Sequence, residues 1–218
     1  PFSSSILSLY QISSKLVQLF FRDEPVAKAV KLLDGPNDRC IELEEYIGKA
    51  IDDGISVKAV DDDGELVGVI INAFLHRKPE DGSDYVSLAK KCTNPKFAKI
   101  LYVLGQREDG AKLWEKFPGE HEVLDVKLAA TDPNWRKKGI MNALLFETEN
   151  VAKKRSIRVL RMDTSSAYSA MAAEKLGFTC MYSAPYSDIK LDGRPLIVPE
   201  PPHVDDRVYT KILFERNG

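Results

Sequence analysis

The segment of residues 121–163 constrains the fold most, because its pattern changes from strand to helix and back to strand. In HEVLDVKLAAT (residues 121–131) side chains alternate as in a strand, with Val123, Asp125 and Lys127 opposite Leu124, Val126 and Leu128. After the loop TDPNWRKKG, a helical spacing appears at Met141, Leu144, Leu145, Thr148, Val151 and Ala152. IRVLRMD (residues 157–163) then predicts a second strand. Strands that alternate with helices indicate an α/β sheet.

The N-terminal part of the chain is predicted to be helical. Residues 12–21 place apolar side chains on one helix face, at Ile12, Leu16, Leu19 and Phe20. Pro25 is expected to begin a second helix that runs towards DGPND, because proline at the first helical position loses no needed hydrogen bond. A third helix is predicted over residues 41–51, and it ends at DDG.

The middle of the chain predicts a hairpin and then a helical insertion. Two β-rich runs flank Asp62-Asp63-Gly64, which is a hairpin signal. The second run is apolar on both faces, so we expect it to be central in the sheet. Residues 77–120 predict a helical excursion, with a helix start at Asn94-Pro95. The rest predicts a helix closed by Gly177 and strands near 178–186 and 206–214.

Composition predicts one ordinary globular domain over residues 1–218. The chain has 31 Lys and Arg against 33 Asp and Glu, a formal charge of −2, so its bulk charge does not indicate a nucleic-acid partner. No apolar run reaches the roughly 20 residues of a spanning helix, so no membrane partner is expected. The opening ILSLYQISSKLVQLFF is interrupted by polar residues and lacks a basic n-region and a cleavage site, which predicts a cytoplasmic protein.

Cysteine and histidine usage predicts neither a disulfide framework nor a metal site. Cys40, Cys92 and Cys180 are far apart, without a CxxC spacing, which fits a reducing compartment. The three histidines are equally scattered, at His76, His121 and His203, and no HExxH occurs. We expect no metal cofactor and, by default, a monomer.

The loop before the 140s helix has two interpretations. Arg136, Lys137 and Lys138 directly precede Gly139, which opens the helix. A helix N-terminus binds phosphate through unpaired N–H groups, and Arg136 adds a bidentate donor. The other interpretation is a solvated turn with basic residues. Since GxxxxGK[ST] and GxGxxG are both absent, a P-loop kinase or a Rossmann dehydrogenase is disfavoured.

This loop, PNWRKKGIMNALL, resembles the R/Q-x-x-G-x-G/A loop of the GNAT superfamily of acyl-CoA N-acyltransferases, and SAMAAEKLGF resembles that superfamily's second signature. The resemblance implies a mixed, mostly antiparallel twisted sheet with flanking helices. Two residues depart from the pattern. Met141 stands where glycine or alanine is usual, and Ala173 where many members have a tyrosine that protonates the leaving thiolate.

Three segments narrow the resemblance to insect arylalkylamine N-acetyltransferases of the dopamine type. They are FFRDEP, DTSSAYSAMAAEKLGF and PPH, and the similarity spans roughly residues 16–214. It implies acetyl-CoA as co-substrate and an amine as the other small-molecule partner. It also implies direct attack in a ternary complex, without a covalent acyl-enzyme.

The resemblance implies three catalytic residues. Glu24 would be the general base, directly or through water, and burial near Phe20 and Phe21 would raise its pKa. Ser165 would protonate the departing thiolate, by a relay through water, and Ser169 would lie near the thioester. The alternative for Glu24 is a helix cap before Pro25. Thr164, Ser165 and Ser166 also stand where a cap would.

The remaining implied site residues bind the two substrates. The backbone of Ala129, Ala130 and Thr131 would pair with the pantetheine arm and polarise the thioester carbonyl. The pyrophosphate would bind the loop of Arg136, Lys137, Lys138, Gly139, Ile140 and Met141. The amine pocket would include Pro25, Tyr168 and His203. The cations at residues 153–155 complement the helix dipole whether or not they contact coenzyme A.

The sequence therefore predicts an acetyl-CoA-dependent N-acetyltransferase for dopamine, tyramine, octopamine, serotonin or tryptamine. A first alternative is the same fold acting on polyamines or agmatine, or using a longer acyl donor. An aliphatic diamine needs a second carboxylate, which EDGSD (residues 80–84) or Asp205-Asp206 offers. A second alternative is a coenzyme A-binding protein without turnover.

Overall fold

The computed structural model describes residues 20–35, 38–77 and 85–215. The helix predicted over residues 12–21 lies outside these ranges, except for residues 20 and 21, which are helical. A short helix α1 (Pro25–Ala29) follows, and α2 (Ile41–Ile51) has the predicted bounds. Pro25 begins α1 as predicted, but the helix ends well before DGPND.

Within the described residues, six strands form the main sheet. They are β1 (Val57–Val60), β2 (Leu66–His76), β3 (Glu122–Thr131), β4 (Val159–Thr164), β5 (Thr179–Pro185) and β8 (Asp205–Ile212), in the order β1-β2-β3-β4-β8-β5. β3 and β4 run parallel, whereas the other neighbouring pairs are antiparallel. The predicted mixed, mostly antiparallel sheet is therefore confirmed. A second, two-stranded sheet pairs β6 (Lys190–Leu191) with β7 (Arg194–Pro195).

The helices lie on both faces of the sheet. The described part of the predicted excursion is mainly helical and contains α3 (Tyr85–Lys91), α4 (Pro95–Ala111) and α5 (Leu113–Lys116). α6 (Ile140–Lys154) connects β3 to β4, and α7 (Ala167–Lys175) follows β4. One apolar cluster joins α2 and α4 to the sheet, and a second joins α6 and α7 to its other face.

Local sequence signals explain why several elements begin where they do. Asn94 caps α4 by accepting the N–H groups of Lys96 (3.0 Å) and Phe97 (3.2 Å), and Pro95 takes the first helical position. Asp61 closes the β1–β2 hairpin by accepting the N–H groups of Asp63 and Glu65. β2 pairs on both edges and packs on both faces, which confirms its central position.

The parallel strands β3 and β4 diverge. Their pairing covers only Leu124, Asp125 and Val126 of β3. Beyond this point β3 stays with β2, through Ala129, Ala130 and Thr131, while β4 stays with β8. A gap therefore opens between the C-terminal ends of two neighbouring strands.

A β-bulge lies where the strands diverge. Ile71 pairs with Leu128 and Asn72 with Val126, so Lys127 has no opposite residue in β2. The alternation predicted for β3 is therefore wrong after Val126. Val126 packs in the α6-side cluster, whereas Leu128 packs in the cluster with α2 and α4. An extra residue in one strand re-aims the side chains that follow it.

We expect Gly68→Ala to destabilise the protein by about 1–3 kcal/mol, because it overpacks the contact between β2 and the start of α6. A Cβ at Gly68 would lie 2.8 Å from Ile140 Cγ2 and 3.0 Å from Leu144 Cδ1, and both side chains are buried. The measurement is urea unfolding of the variant against the unmodified chain.

Gly48→Ala is the matched control, with the opposite expected sign. Gly48 lies within α2, and a Cβ there would meet no atom within 4 Å beyond the helix backbone. Alanine should stabilise that helix by about 0.5–1 kcal/mol. Equal changes in unfolding free energy for the two variants would contradict the overpacking argument.

Candidate functional site

A cavity of about 130 Å³ opens where β3 and β4 diverge. α1, α2 and α4 supply one wall, and the sheet supplies the other. Its aromatic lining consists of Phe20, Phe21, Tyr46, Tyr85 and Phe97. Its charged lining consists of Glu24, Arg107, Glu108, Asp125, Lys127, Arg161 and Asp163, and Ser165 completes its polar side. The cavity therefore combines apolar ring surfaces with an unusually charged wall.

Glu24 lines this cavity and also caps α1. Its carboxylate accepts the N–H groups of Val26 at 3.0 Å and Ala27 at 2.6 Å. Burial raises the pKa of Glu24, while a hydrogen bond with Ser165 and the two backbone N–H groups oppose that shift. Glu24 is therefore a helix cap and also a cavity carboxylate with a raised pKa, while its role as general base stays a prediction.

The structure separates the roles of three neighbouring serines. Ser166 is the cap of α7, since its hydroxyl accepts the Ser169 N–H at 3.0 Å. Ser165 does not cap the helix; it lines the cavity together with Glu24, and its hydroxyl lowers the pKa of Glu24. The Ser169 hydroxyl donates to the Ser166 carbonyl at 3.0 Å and lies 2.8 Å from the Ser166 hydroxyl. Of the two predicted catalytic serines, the fold therefore brings Ser165, and not Ser169, to Glu24 and the cavity wall.

Buried ion pairs connect α4 to the sheet beside this site. Arg107 donates from Nε (2.8 Å) and Nη2 (2.5 Å) to Asp206 and from Nη1 (3.1 Å) to Asp163. Arg161 donates to Asp163 with two nitrogens and from Nη1 to Glu108 at 2.6 Å. Burial alone would raise the pKa of Asp163, but Arg161 and Arg107 outweigh it and lower that pKa to about 2. Asp163 therefore stays ionised and keeps the network charged.

A second polar group lines the cavity at the bulge. The Lys127 ammonium lies 2.6 Å from the Asp125 carboxylate and 5.8 Å from the centre of the Tyr46 ring. The Tyr46 and Tyr85 hydroxyl oxygens are 3.1 Å apart. The cavity wall at the bulge thus contains a paired ammonium from β3 and two phenolic hydroxyls from α2 and α3.

The start of α6 has the geometry of an anion site. Gly139 is its N-cap at φ +80°, no side chain caps the helix, and a Cβ at this position would meet open space. The N–H groups of the first helical turn have no partner within the helix, so they remain available to a ligand. Lys137 also has a positive φ, of 63°. Ile140 is buried under the loop, while Met141 is partly exposed.

The three loop cations are exposed, and two of them have partners. Arg136 forms an ion pair with Asp23, with Nη2 2.9 Å from Oδ2. The Lys138 ammonium lies 4.5 Å from the centre of the Trp135 ring. Such an exposed ion pair contributes about 0.2–1 kcal/mol, whereas a hydrogen bond to a charged group contributes about 1.5–3 kcal/mol. A phosphate can therefore displace Asp23 from Arg136.

The diverging end of β3 has features that suit an extended ligand arm. Ala129, Ala130 and Thr131 pair with β2 along one edge and face the gap with the other. The Thr131 hydroxyl oxygen is buried without a hydrogen-bond partner. Buried polar groups normally have partners, so an unpartnered one here fits a ligand contact. The residues predicted for coenzyme binding, 129–131 and 136–141, thus lie at the two ends of one β3–α6 connection.

Three residues predicted for the amine pocket lie outside the lining of this cavity. Pro25 is buried in α1, directly after Glu24. The Tyr168 side chain is 67% exposed, and its ring packs edge-on against His203, with centroids 5.5 Å apart. His203 accepts the Ala167 N–H through Nδ1 at 3.2 Å and so supports the start of α7.

Sequence reasoning missed most of the charged wall. Arg107, Glu108, Arg161 and Asp163 line the cavity, and so does Lys127, which lies at the bulge in β3. A signal was present in IRVLRMD, where Arg161 and Asp163 are two residues apart in a predicted strand and therefore share one face. The ion pairs that Arg107 and Glu108 form join residues 53 to 99 positions apart, so these pairings had no local signature.

Two further findings concern the described residues alone. Within residues 20–35, 38–77 and 85–215, no group of three or more His, Cys, Asp or Glu is arranged to hold a metal ion. No helix in these same ranges combines the length and the apolar character needed to cross a bilayer.

Comparison with solved structures identifies the fold. The chain superposes on arylalkylamine N-acetyltransferase 2 of Aedes aegypti with a TM-score of 0.87 and 25% identity, covering 98% of this chain and 99% of that one. A Drosophila melanogaster polyamine N-acetyltransferase that forms N-acetylagmatine gives 0.84 and 18%, covering 97% and 100%. A mosquito arylalkylamine N-acetyltransferase-like 5b protein gives 0.83 and 22%, covering 97% and 100%.

No family model matches the sequence. The structural neighbours are insect arylalkylamine N-acetyltransferases and related GNAT acetyltransferases, matched over nearly the full chain. The chain therefore has the GNAT N-acetyltransferase fold, and the resemblance stated from the loop and signature motifs is confirmed at that level.

We expect Arg136→Ala to weaken acetyl-CoA binding by about 10- to 100-fold, the equivalent of one lost charge-assisted hydrogen bond to a phosphate. The measurement is the dissociation constant from calorimetric titration. Arg39→Ala is the matched control, since Arg39 also forms an exposed ion pair, with Glu44, and does not line the cavity. If Arg136→Ala binds acetyl-CoA as tightly as the unmodified chain does, Arg136 is not part of the phosphate site.

Proposed function

We propose that the protein is an acetyl-CoA-dependent N-acetyltransferase that acetylates the primary amine of arylalkylamines such as dopamine, tyramine, octopamine, serotonin and tryptamine. One observation carries the proposal. Glu24, whose pKa is raised by burial and lowered by the Ser165 hydroxyl, lines a partly aromatic cavity together with Ser165 at the point where β3 and β4 diverge. A base and a hydroxyl are thus next to a gap that can admit an extended thioester.

Glu24 would act as the general base. The amine arrives mostly as an ammonium, and its nitrogen must lose a proton to attack a carbonyl carbon. A carboxylate with a raised pKa holds such a proton better than an ordinary one does, and the Glu24 pKa is raised by burial. The negative charge of Glu24 also attracts the ammonium before transfer.

Acetyl-CoA, when bound, would supply the thioester carbonyl that the amine attacks and the thiolate that leaves. The backbone edge of Ala129, Ala130 and Thr131 would orient the pantetheine arm, and the start of α6 would bind the pyrophosphate. Ser165 would pass a proton towards the departing sulfur, with water completing the relay, because a hydroxyl alone is a weak acid. Ser169 would support this end of the site through its bonds to Ser166.

The aromatic lining supports an aryl substrate. Phe20, Phe21, Tyr46, Tyr85 and Phe97 offer ring surfaces against which an aromatic side chain can stack. The proposed amine pocket also includes Pro25, Tyr168 and His203, which adjoin Glu24 or the start of α7. The proposal includes a cytoplasmic monomer, and the free thiols of Cys40, Cys92 and Cys180 suit a reducing compartment.

A specific observation favours agmatine or a polyamine as a second candidate substrate. The cavity wall and its buried ion partner Asp206 contain five carboxylates but only three cations, which are Arg107, Lys127 and Arg161. When the reacting amine is bound to Glu24, the other four carboxylates still exceed the three cations by one. A second cationic group on the substrate would balance that extra negative charge. Glu108 and Asp125 line the cavity, whereas Asp205 and Asp206 do not, so Glu108 and Asp125 are the better candidates for that contact. EDGSD lies outside the described residues.

Thiol release from acetyl-CoA with dopamine, tyramine, serotonin, tryptamine, spermidine and agmatine tests the proposal. We expect turnover on the aromatic amines, because the cavity offers them ring surfaces. A no-amine control corrects for the protein's own thiols. Turnover on spermidine or agmatine alone would favour the second candidate, in which the substrate is agmatine or a polyamine. Binding of acetyl-CoA without any turnover would instead support a non-catalytic coenzyme A-binding protein, and a preference for longer acyl donors would show in a parallel acyl-CoA series.

We expect Glu24→Gln to lower kcat by about 10²- to 10⁴-fold, because an amide cannot take the proton but can still accept a backbone N–H. Acetyl-CoA affinity should remain unchanged. The matched control is Asp61→Asn, which makes the same carboxylate-to-amide change at a residue that also accepts two backbone N–H groups, in the β1–β2 hairpin. If both variants keep full activity, Glu24 serves only as a cap.

We expect Ser165→Ala to move the acidic limb of the kcat/KM pH profile to higher pH. The Ser165 hydrogen bond lowers the pKa of Glu24 against the effect of burial, so its loss raises that pKa further. A higher pKa means that the ionised base forms only at higher pH. Ser187→Ala is the control, since Ser187 is exposed and its hydroxyl donates only to Asp188 at 3.3 Å among the described contacts. An unmoved limb in Ser165→Ala would mean that Glu24 is not the group titrating there.

A further inference from the structure

We propose that Tyr186 is a positioning residue that holds Ser165 against Glu24, and that Arg107 and Asp206 hold Tyr186 in turn. This inference rests on the proposed acetyltransferase function. It assigns a role to a buried tyrosine and to an ion pair that the proton transfers themselves do not use.

Tyr186 contacts the candidate catalytic serine through its hydroxyl. The residue begins a short 3₁₀ turn, Tyr186–Asp188, directly after β5, and it is only 3% exposed. Its N–H donates to the Val204 carbonyl at 2.9 Å, which ties its backbone to the segment before β8. Its hydroxyl donates to the Ser165 carbonyl, also at 2.9 Å.

This contact restrains a peptide that the neighbouring elements leave loose. Ser165 lies between Thr164, the last residue of β4, and Ser166, the cap of α7. It has neither a strand partner nor a helical position, so β4 and α7 fix only its neighbours. The Tyr186 hydroxyl therefore supplies the hydrogen bond that sets the orientation of the Ser165 peptide, and with it the direction of the side chain towards Glu24.

Asp206 and Arg107 determine where the Tyr186 proton points. Asp206 is completely buried and interacts with the same tyrosine hydroxyl. An unpaired carboxylate would compete for that proton with the neutral Ser165 carbonyl. Arg107 occupies both oxygens of Asp206, at 2.8 and 2.5 Å, and so satisfies the carboxylate. The tyrosine proton is then left for Ser165.

The test compares two buried tyrosines that each lose one hydroxyl donor. Tyr186→Phe removes the bond to Ser165. Tyr209→Phe is the matched control, because Tyr209 is also fully buried and its hydroxyl donates to Glu174 at 2.7 Å. Each variant is characterised by its melting temperature, acetyl-CoA dissociation constant, kcat, amine KM and pH profile of kcat/KM.

We expect Tyr186→Phe to lower kcat between about tenfold and 100-fold, because a displaced catalytic group costs rate without removing the group. Acetyl-CoA affinity should stay unchanged, and the acidic limb should move to higher pH as Ser165 loses its bond with Glu24. Tyr209→Phe should lose comparable stability, but its kcat and the acidic limb of its pH profile should stay unchanged. Equal kcat and equal pH limbs in the two variants would overturn the positioning role.

A double substitution shows whether Tyr186 acts through Ser165. In a Ser165→Ala background, Tyr186→Phe should have little further effect on kcat or on the pH limb, because the two changes affect one unit. A full, additive effect would overturn the proposal while leaving the acetyltransferase function intact. Absence of turnover by the unmodified protein on every amine would reject the proposed function, and the positioning role with it.

Discussion

The buried guanidinium of Arg107 connects the helical excursion to the sheet, and the cavity depends on this connection. A buried charge costs several kcal/mol unless it is paired and hydrogen-bonded. Arg107 meets that condition only when α4 lies against both strands that contain its partners, β4 with Asp163 and β8 with Asp206. The cost of breaking the pairs therefore fixes the distance between the helix and the diverging strands, and the cavity is the space that remains between them.

The sheet contributes the second half of the site through two irregularities at one place. β3 and β4 separate after Val126, and the bulge at Lys127 begins at the next residue. Separation exposes a backbone edge that a regular sheet would use for pairing. Lys127 lies beside Asp125, as regular alternation would place it, and the bulge brings Leu128 to the cluster with α2 and α4 instead of the cluster that holds Val126. Both features replace regular hydrogen bonding with groups available to ligands.

Several groups in the site serve a local structural role and a chemical one at once. Glu24 caps α1 and also lines the cavity with a raised pKa. Gly139 begins α6 without a side-chain cap, which leaves N–H groups for an anion. At the start of α7, by contrast, Ser166 is a side-chain cap, so the Ser165 side chain is not needed as one. Local capping and site chemistry are therefore compatible explanations. Glu24 serves both, whereas Ser166 caps the helix and the adjacent Ser165 lines the cavity.

The sequence by itself determined the elements and the parts of the site that lie within one local motif. Helical spacing, the Asn94-Pro95 cap and the strand–loop–helix order around Gly139 all depend on neighbours a few residues apart, and the structure follows them. It also follows the alternation of β3 as far as Val126. Only the tertiary structure decided which serine lies beside Glu24, that Leu128 packs in the cluster with α2 and α4, and that Arg107 pairs with Asp206. These outcomes depend on contacts between residues as much as 99 positions apart and on a one-residue bulge. Periodicity carries no information about either, because burial and pairing are properties of the assembled layers.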